Sequence, residues 1–119
     1  MGRIGVRRVY ESPVPGDGRR LLVDRLWPRG LSKDAAALDG WYKEVAPSDA
    51  LRRWYGHDPH RFPEFRRRYR AELRAAKDSV EALLQEVRRA DVVLLYAAHD
   101  AEHNNAVVLR EYLKEHAHA

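Results

Sequence analysis

The run Val92-Val93-Leu94-Leu95-Tyr96 constrains what this chain can fold into more than any other feature. Five consecutive apolar residues without alternation suit a strand covered on both faces, the position found in the middle of an α/β sheet. Residues 20–26 start in the same way with Leu21, Leu22 and Val23, then deliver Asp24, Arg25, Trp27 and a Pro28-Arg29-Gly30 turn. This is a strand that ends in a site: its aliphatic side chains can enter a core, whereas the charged groups after them need partners or water.

The rest of the chain supplies the layers around these strands. A β-branched, imperfectly alternating segment over residues 3–10 suggests a first strand. The loop from Glu11 to Gly18 holds two prolines and two glycines, which excludes a helix before residue 20 and favours an antiparallel pairing of the first two strands. Ser32 is placed to cap a short helix through Leu38 with Gly40 as its left-handed exit, and Trp41 to Val45 read as extended. Ser48 caps a second helix that turns Leu51, Trp54 and Tyr55 inward and stops at Gly56. From about Pro63 onward, Phe65, Tyr69, Leu73, Ala76, Val80, Leu83, Leu84 and Val87 mark one face of a long helix or of two collinear ones. The candidate break is Lys77-Asp78-Ser79, with Asp78 and Glu81 arranged as a capping box. A last helix over about 102–116 carries Ala106, Leu109, Tyr112 and Leu113 inward. This order predicts one α/β domain over residues 1–119, a small, mostly parallel sheet flanked by helices. The strands at 20–26 and 92–96 are expected to be parallel through a right-handed crossover.

Such a fold needs no staples. A chain of 119 residues buries roughly two thirds of its unfolded surface. The absence of cysteine excludes thiol nucleophiles, cysteine-based zinc sites and redox switching, and fits a reducing compartment. No apolar run approaches the roughly 18 residues of a membrane span, and the N-terminus has no signal-peptide core, so a cytoplasmic protein without a membrane partner is expected. The net charge of +4 and the pI of 9.6 have a local origin, because residues 61–74 hold six arginines against Glu64 and Glu72. Glu64, Arg68 and Glu72 are spaced to pair along the helix. Arg67, Arg70 and Arg74 have no such partner and form a candidate nucleic-acid face, set against the simpler reading of a solvated helix side.

Parallel strands bring their carboxyl ends to one edge. Asp24, Arg25, Trp27 and Arg29 would then face His99, Asp100, His103, Asn104 and Asn105 across the kind of crevice in which open α/β sheets bind ligands. The amino end of the last helix would point into it as well. An arginine at such an edge suits bidentate contact with phosphate or carboxylate, so the expected partner is a small anionic or nucleotide-like molecule. The competing reading makes Asp24 a structural ion-pair partner of Arg25 or Arg29, Trp27 a core or lid residue, and Asn104 and Asn105 local backbone caps. Trp41 and Trp54 read as core, and His116 and His118 as inert. His99-Asp100-Ala101-Glu102-His103 matches the His-x-x-Glu-His pattern of zinc peptidases in form only: His99 precedes the helix and there is no third ligand, so no metal site is expected. Asp24, His57 and His103 have the chemistry for acid/base work, but no Gly-rich phosphate loop or Ser-His-Asp order accompanies them, and no cofactor is indicated.

Several segments together resemble a known family. They are Arg8-Val9-Tyr10, Leu22-Val23-Asp24-Arg25-Leu26-Trp27-Pro28-Arg29-Gly30, Ala46-Pro47-Ser48 with Leu51-Arg52, Phe65 with Arg68-Tyr69 and Glu72-Leu73, Leu94-Leu95-Tyr96-Ala97, and His103-Asn104. The chain looks like the YeaO-like proteins, the short branch of the domain-of-unknown-function 488 family, over nearly its whole length. Longer relatives carry a helix before the Val-Asp strand, cysteines, and a Cys-His-Arg cluster near the positions of His103 to Asn105. This chain lacks these, so the resemblance implies a branch that has lost or replaced whatever chemistry they perform. Similar proteins usually carry lysine where this chain has His99. Some members are called transcriptional regulators, although no compact helix-turn-helix occurs here. The expectation is an α/β domain of unknown function that binds an anionic ligand, with catalysis at the same place left open. Nucleic-acid binding through Arg67, Arg70 and Arg74, or a protein-interaction role, is the alternative.

Overall fold

Strand β4 (Val92–Tyr96) is buried over its whole length because it lies inside the sheet. In the computed structural model, which describes residues 2–117, the sheet order is β1 (Ile4–Arg8), β4, β2 (Arg19–Leu22) and β3 (Gly40–Trp41). Every pairing is parallel: Ile4 to Arg8 lie beside Val92 to Tyr96, Arg19 to Leu22 beside Val92 to Leu95, and Leu21 and Leu22 beside Gly40 and Trp41. Side chains alternate across a strand, so Leu21, Val23, Val92, Leu94 and Tyr96 enter one core while Leu22, Val93 and Leu95 enter another. The uninterrupted apolar run of β4 results from having a core on each side.

The antiparallel pair expected for the first two strands does not form. Strand β4 inserts between β1 and β2, and residues 9–18 return the chain to the starting edge of the sheet without a helix. Ten extended residues reach roughly 33 Å, about twice the length of a five-residue strand at roughly 3.3 Å per residue, so the loop is long enough for a parallel return. Gly18 has φ +71°, and a Cβ there would lie 2.3 Å from the carbonyl oxygen of Asp91, so glycine is what lets the loop pass this close to the start of β4. Asp17 fastens the return, accepting hydrogen bonds from Arg7 and, at 3.0 Å, from Arg20. Arg20 is only 4% exposed and also donates to the carbonyls of Ala36 and Ala37.

The long helices lie on one face. Leu51 and Tyr55 of α2 (Asp49–Tyr55) pack there with the apolar sides of α3 (Phe62–Ala75), α4 (Lys77–Arg89) and α5 (Asn105–His116). The other face is covered by Trp27, Leu31 and Leu38, around the short helix α1 (Lys33–Ala36). Ser32 and Ser48 cap α1 and α2 as expected, accepting from the amides of Ala35 and Leu51 at 3.0 and 3.1 Å, and Gly56 ends α2 in a left-handed conformation.

Other boundaries differ from the sequence reading, each for a tertiary reason. Helix α1 ends early at left-handed Ala37, where Arg20 captures its last carbonyls, and Gly40 instead begins β3. Only the first residue of the Trp41–Val45 segment is strand, and Lys43–Val45 forms a 3-10 turn. The break between α3 and α4 occurs at Ala76, but Ala76 itself stands at the helix start and Asp78 does not cap it. Helix α5 begins at Asn105 rather than near Glu102, because Asp100 holds the amides of Glu102 and His103 in a turn. Among the described residues, no helix is long and apolar enough to cross a membrane.

Candidate functional site

Parallel pairing brings the carboxyl ends of β2 and β4 to one edge, and a crevice of about 730 Å³ opens beyond them. Asp24, Arg25, Trp27, Arg29, Asp100, His103, Asn104 and Asn105, the residues expected to meet there, all line it, and so does His99. Its volume is in the range of ordinary small-ligand pockets.

Asp24 forms no ion pair with Arg25 or Arg29. Its Oδ2 accepts the amide of Ala97 at 3.0 Å, and its Oδ1 accepts Nδ2 of Asn105 at 3.0 Å. Burial pushes the Asp24 pKa above its ordinary value of 3.8, against the opposing pull of Asn105, the Ala97 amide, and the positive fields of His57 and Arg52. Arg25 instead donates to the carbonyls of Ala46 and Pro47 at 3.1 and 3.2 Å, tying the strand end to the segment before α2. Arg29 is exposed, and its guanidinium has no hydrogen-bond or ion-pair partner among the described residues, while its carbonyl accepts the Tyr10 hydroxyl at 2.8 Å. Trp27 donates to the Leu31 carbonyl at 2.6 Å and meets Trp41 edge-on at 5.5 Å. Trp41 is 37% exposed rather than core, because it sits on a two-residue edge strand, and its indole bonds the Asp24 carbonyl at 2.7 Å.

The β4 side of the crevice is tightly braced. Asp100 accepts Nδ1 of His103 at 2.9 Å and the amides of Glu102 and His103 at 2.9 and 3.0 Å. The Glu102 amide first, then the His103 ring, hold the Asp100 carboxyl below the usual range. The His103 ring rests edge-on against Phe62 at 5.1 Å, and its carbonyl accepts the Tyr55 hydroxyl at 2.7 Å. Burial pushes the Tyr55 phenol up to about 12. Asn104 is buried, accepts the Val107 amide as the N-cap of α5 and donates to the Asp100 carbonyl, so its amide serves the helix start. Asn105 ties the start of α5 to the end of β2, donating to the Val23 carbonyl at 3.1 Å and to Asp24.

The sequence reading did not place Tyr10, Arg52, Tyr55 and Phe65 at this crevice, and named His57 only for acid/base chemistry; all five line it. Arg52 lies on α2, loosely paired with Asp49 at 3.6 Å, and the usable signal was its place in the family-like Leu51-Arg52 segment. His57 has φ 57°, a left-handed conformation uncommon outside glycine and often held at ligand sites.

The arginines of α3 are mostly engaged. Arg67 pairs with Glu64 at 2.6 Å within the helix, contrary to expectation, because a spacing of three serves as well as four. Arg68 shares that carboxylate at 2.7 Å, Arg66 reaches Glu111 at 2.7 Å, and Arg70 bridges to Glu111 and Glu115 of α5. Glu72, free of Arg68, accepts the amide and hydroxyl of Ser48 at 2.8 and 2.6 Å. Arg74 has no ion-pair partner among the described residues. Trp54 packs beneath Arg68, whose guanidinium lies 4.3 Å from the ring centre. His116 stacks on Tyr112 at 4.1 Å, and His118 lies outside the described residues.

Comparison with known proteins agrees with the sequence resemblance. The uncharacterized protein Rv3073c of Mycobacterium tuberculosis (strain H37Rv) is 45% identical over 115 residues, 93% of each chain. The uncharacterized protein YeaO of Escherichia coli (strain K12) is 39% identical over 111 residues, 93% of this chain and 96% of its own. No solved structure matches. The model of DUF488-N3i, described as the inactive DUF488-N3 subclade, matches residues 3–119, and the chain belongs to that family.

Proposed function

We propose that this protein binds a small anionic or nucleotide-like molecule in the crevice at the carboxyl ends of β2 and β4. One observation carries the reading: Arg29, free of any protein partner among the described residues, and Arg52, only loosely paired, line the same crevice as a partly buried Asp24 that makes no ion pair. A partly buried carboxylate that serves only the fold is normally given a counter-ion by the fold, whereas Asp24 has none and shares its crevice with two solvent-facing guanidiniums. The description of the family as an inactive subclade supports binding rather than turnover as the role of the site.

The experiment is a thermal-shift screen of the wild-type protein, Arg29→Ala and Arg52→Ala against nucleotides, sugar phosphates and small carboxylates. A ligand at about 100 times its Kd stabilises the native state by roughly 2.7 kcal/mol, a rise of roughly 10 °C in Tm for a chain of this size. The expected result is a rise in the wild type that shrinks in both variants. A screen in which no anion shifts the wild type, or in which the variants respond undiminished, overturns the reading.

A further inference from the structure

An anion alone would leave half of this crevice unanswered. The two oxygens of Asp24 each accept one hydrogen bond from the protein and keep further acceptor capacity. Asn105 directs its Nδ2 to the Val23 carbonyl and to Asp24, and no described residue donates to its Oδ1. This side of the crevice therefore accepts hydrogen bonds and repels anions. Arg29 and Arg52 are the reverse, since a guanidinium donates and never accepts. A molecule that satisfies both groups carries proton donors as well as negative charge.

The donors are better neutral than cationic. The positive field of Arg52 already acts on Asp24 and would oppose a second cation beside it. Neighbouring hydroxyls suit a carboxylate because each can donate a charge-assisted bond. Trp27, Tyr55 and Phe65 add apolar wall along the same crevice, which favours a ring in the occupant.

Resting on the anion-binding reading above, we infer that the occupant is a phosphorylated vicinal diol, a sugar phosphate or a ribonucleotide, with its hydroxyls on Asp24 and Asn105 and its phosphate on Arg29 and Arg52. Calorimetric titration of the wild-type protein tests this with ribose phosphate, a ribonucleoside monophosphate, the matching 2′-deoxy nucleotide and inorganic phosphate. The ribonucleotide should bind at least about tenfold more tightly than its deoxy counterpart, and ribose phosphate at least about tenfold more tightly than inorganic phosphate. Whichever diol probe is tighter, the inference holds and the source of the diol is identified. Asp24→Asn should keep phosphate binding and lose the preference for the ribo form. Equal affinity of the ribo and deoxy forms in the wild type, with ribose phosphate no tighter than inorganic phosphate, overturns the inference, requires no variant to fold, and leaves anion binding standing. Failure of every phosphate-bearing probe to bind overturns both.

Discussion

Asp17 and Asp24 flank the same strand, and the fold treats them in opposite ways. Asp17, before β2, has a side chain only 7% exposed and is gripped by Arg7, by Arg20 and by the Val14 amide. Burial pushes its pKa up, but those three partners outweigh burial and hold it below the ordinary value of 3.8. Asp24, after β2, has an asparagine and one backbone amide, and there burial wins. The carboxylate that fastens a loop is given its counter-charges by the chain, and the one that lines the crevice is not.

Breaking the first site should cost most. Asp17→Ala leaves Arg20 buried beside carbonyls alone, and should lower stability by about 3 kcal/mol, the low end for a buried pair because this one lies under a surface loop. Chemical denaturation measures it, and a loss below about 1 kcal/mol would dissolve the contrast with Asp24. Ser48→Ala removes both the cap of α2 and a partner of Glu72, and should cost about 1–2 kcal/mol in the same assay.

The contrast sharpens with pH. Because its native pKa is raised, ionised Asp24 destabilises the fold at neutral pH, and that cost disappears as pH falls through the native pKa toward 3.8. Asp17 behaves oppositely, with stabilisation present above 3.8 and lost as pH falls through its depressed native pKa. The Tm of the wild type relative to Asp24→Asn should therefore rise between pH 7 and pH ~4, while its advantage over Asp17→Asn should shrink at still lower pH. Parallel Tm curves for all three proteins would mean that neither carboxyl is perturbed.

The smallest structural effect belongs to the site itself. Arg29→Ala should change stability by less than about 0.5 kcal/mol, since its guanidinium touches no described partner, yet it should shrink ligand-induced stabilisation. Alanine at Arg67, Arg70 and Arg74 together should leave crevice binding unchanged. If that variant loses a salt-dependent affinity for nucleic acid that the wild type has, the functional role moves to α3.

The sequence by itself determined the elements whose cause is local. Unbroken apolar runs mark inner strands, Ser32 and Ser48 start helices, Gly56 stops one, and apolar spacings of three and four trace α3, α4 and α5. It also placed the residues that follow β2 and β4 at one edge, because parallel pairing of two apolar runs is enough to gather what lies just beyond their carboxyl ends. Only the tertiary structure decided that β4 separates β1 from β2, since a ten-residue loop is compatible with either direction and the choice lies in distant core contacts. It alone turned Asp17 from a turn residue into the anchor of a buried pair, and put Arg52 and His57 beside Asp24 from a helix and a turn distant in the chain. Periodicity reports which face of an element is buried, whereas the partner of a charge is set by where separate elements meet.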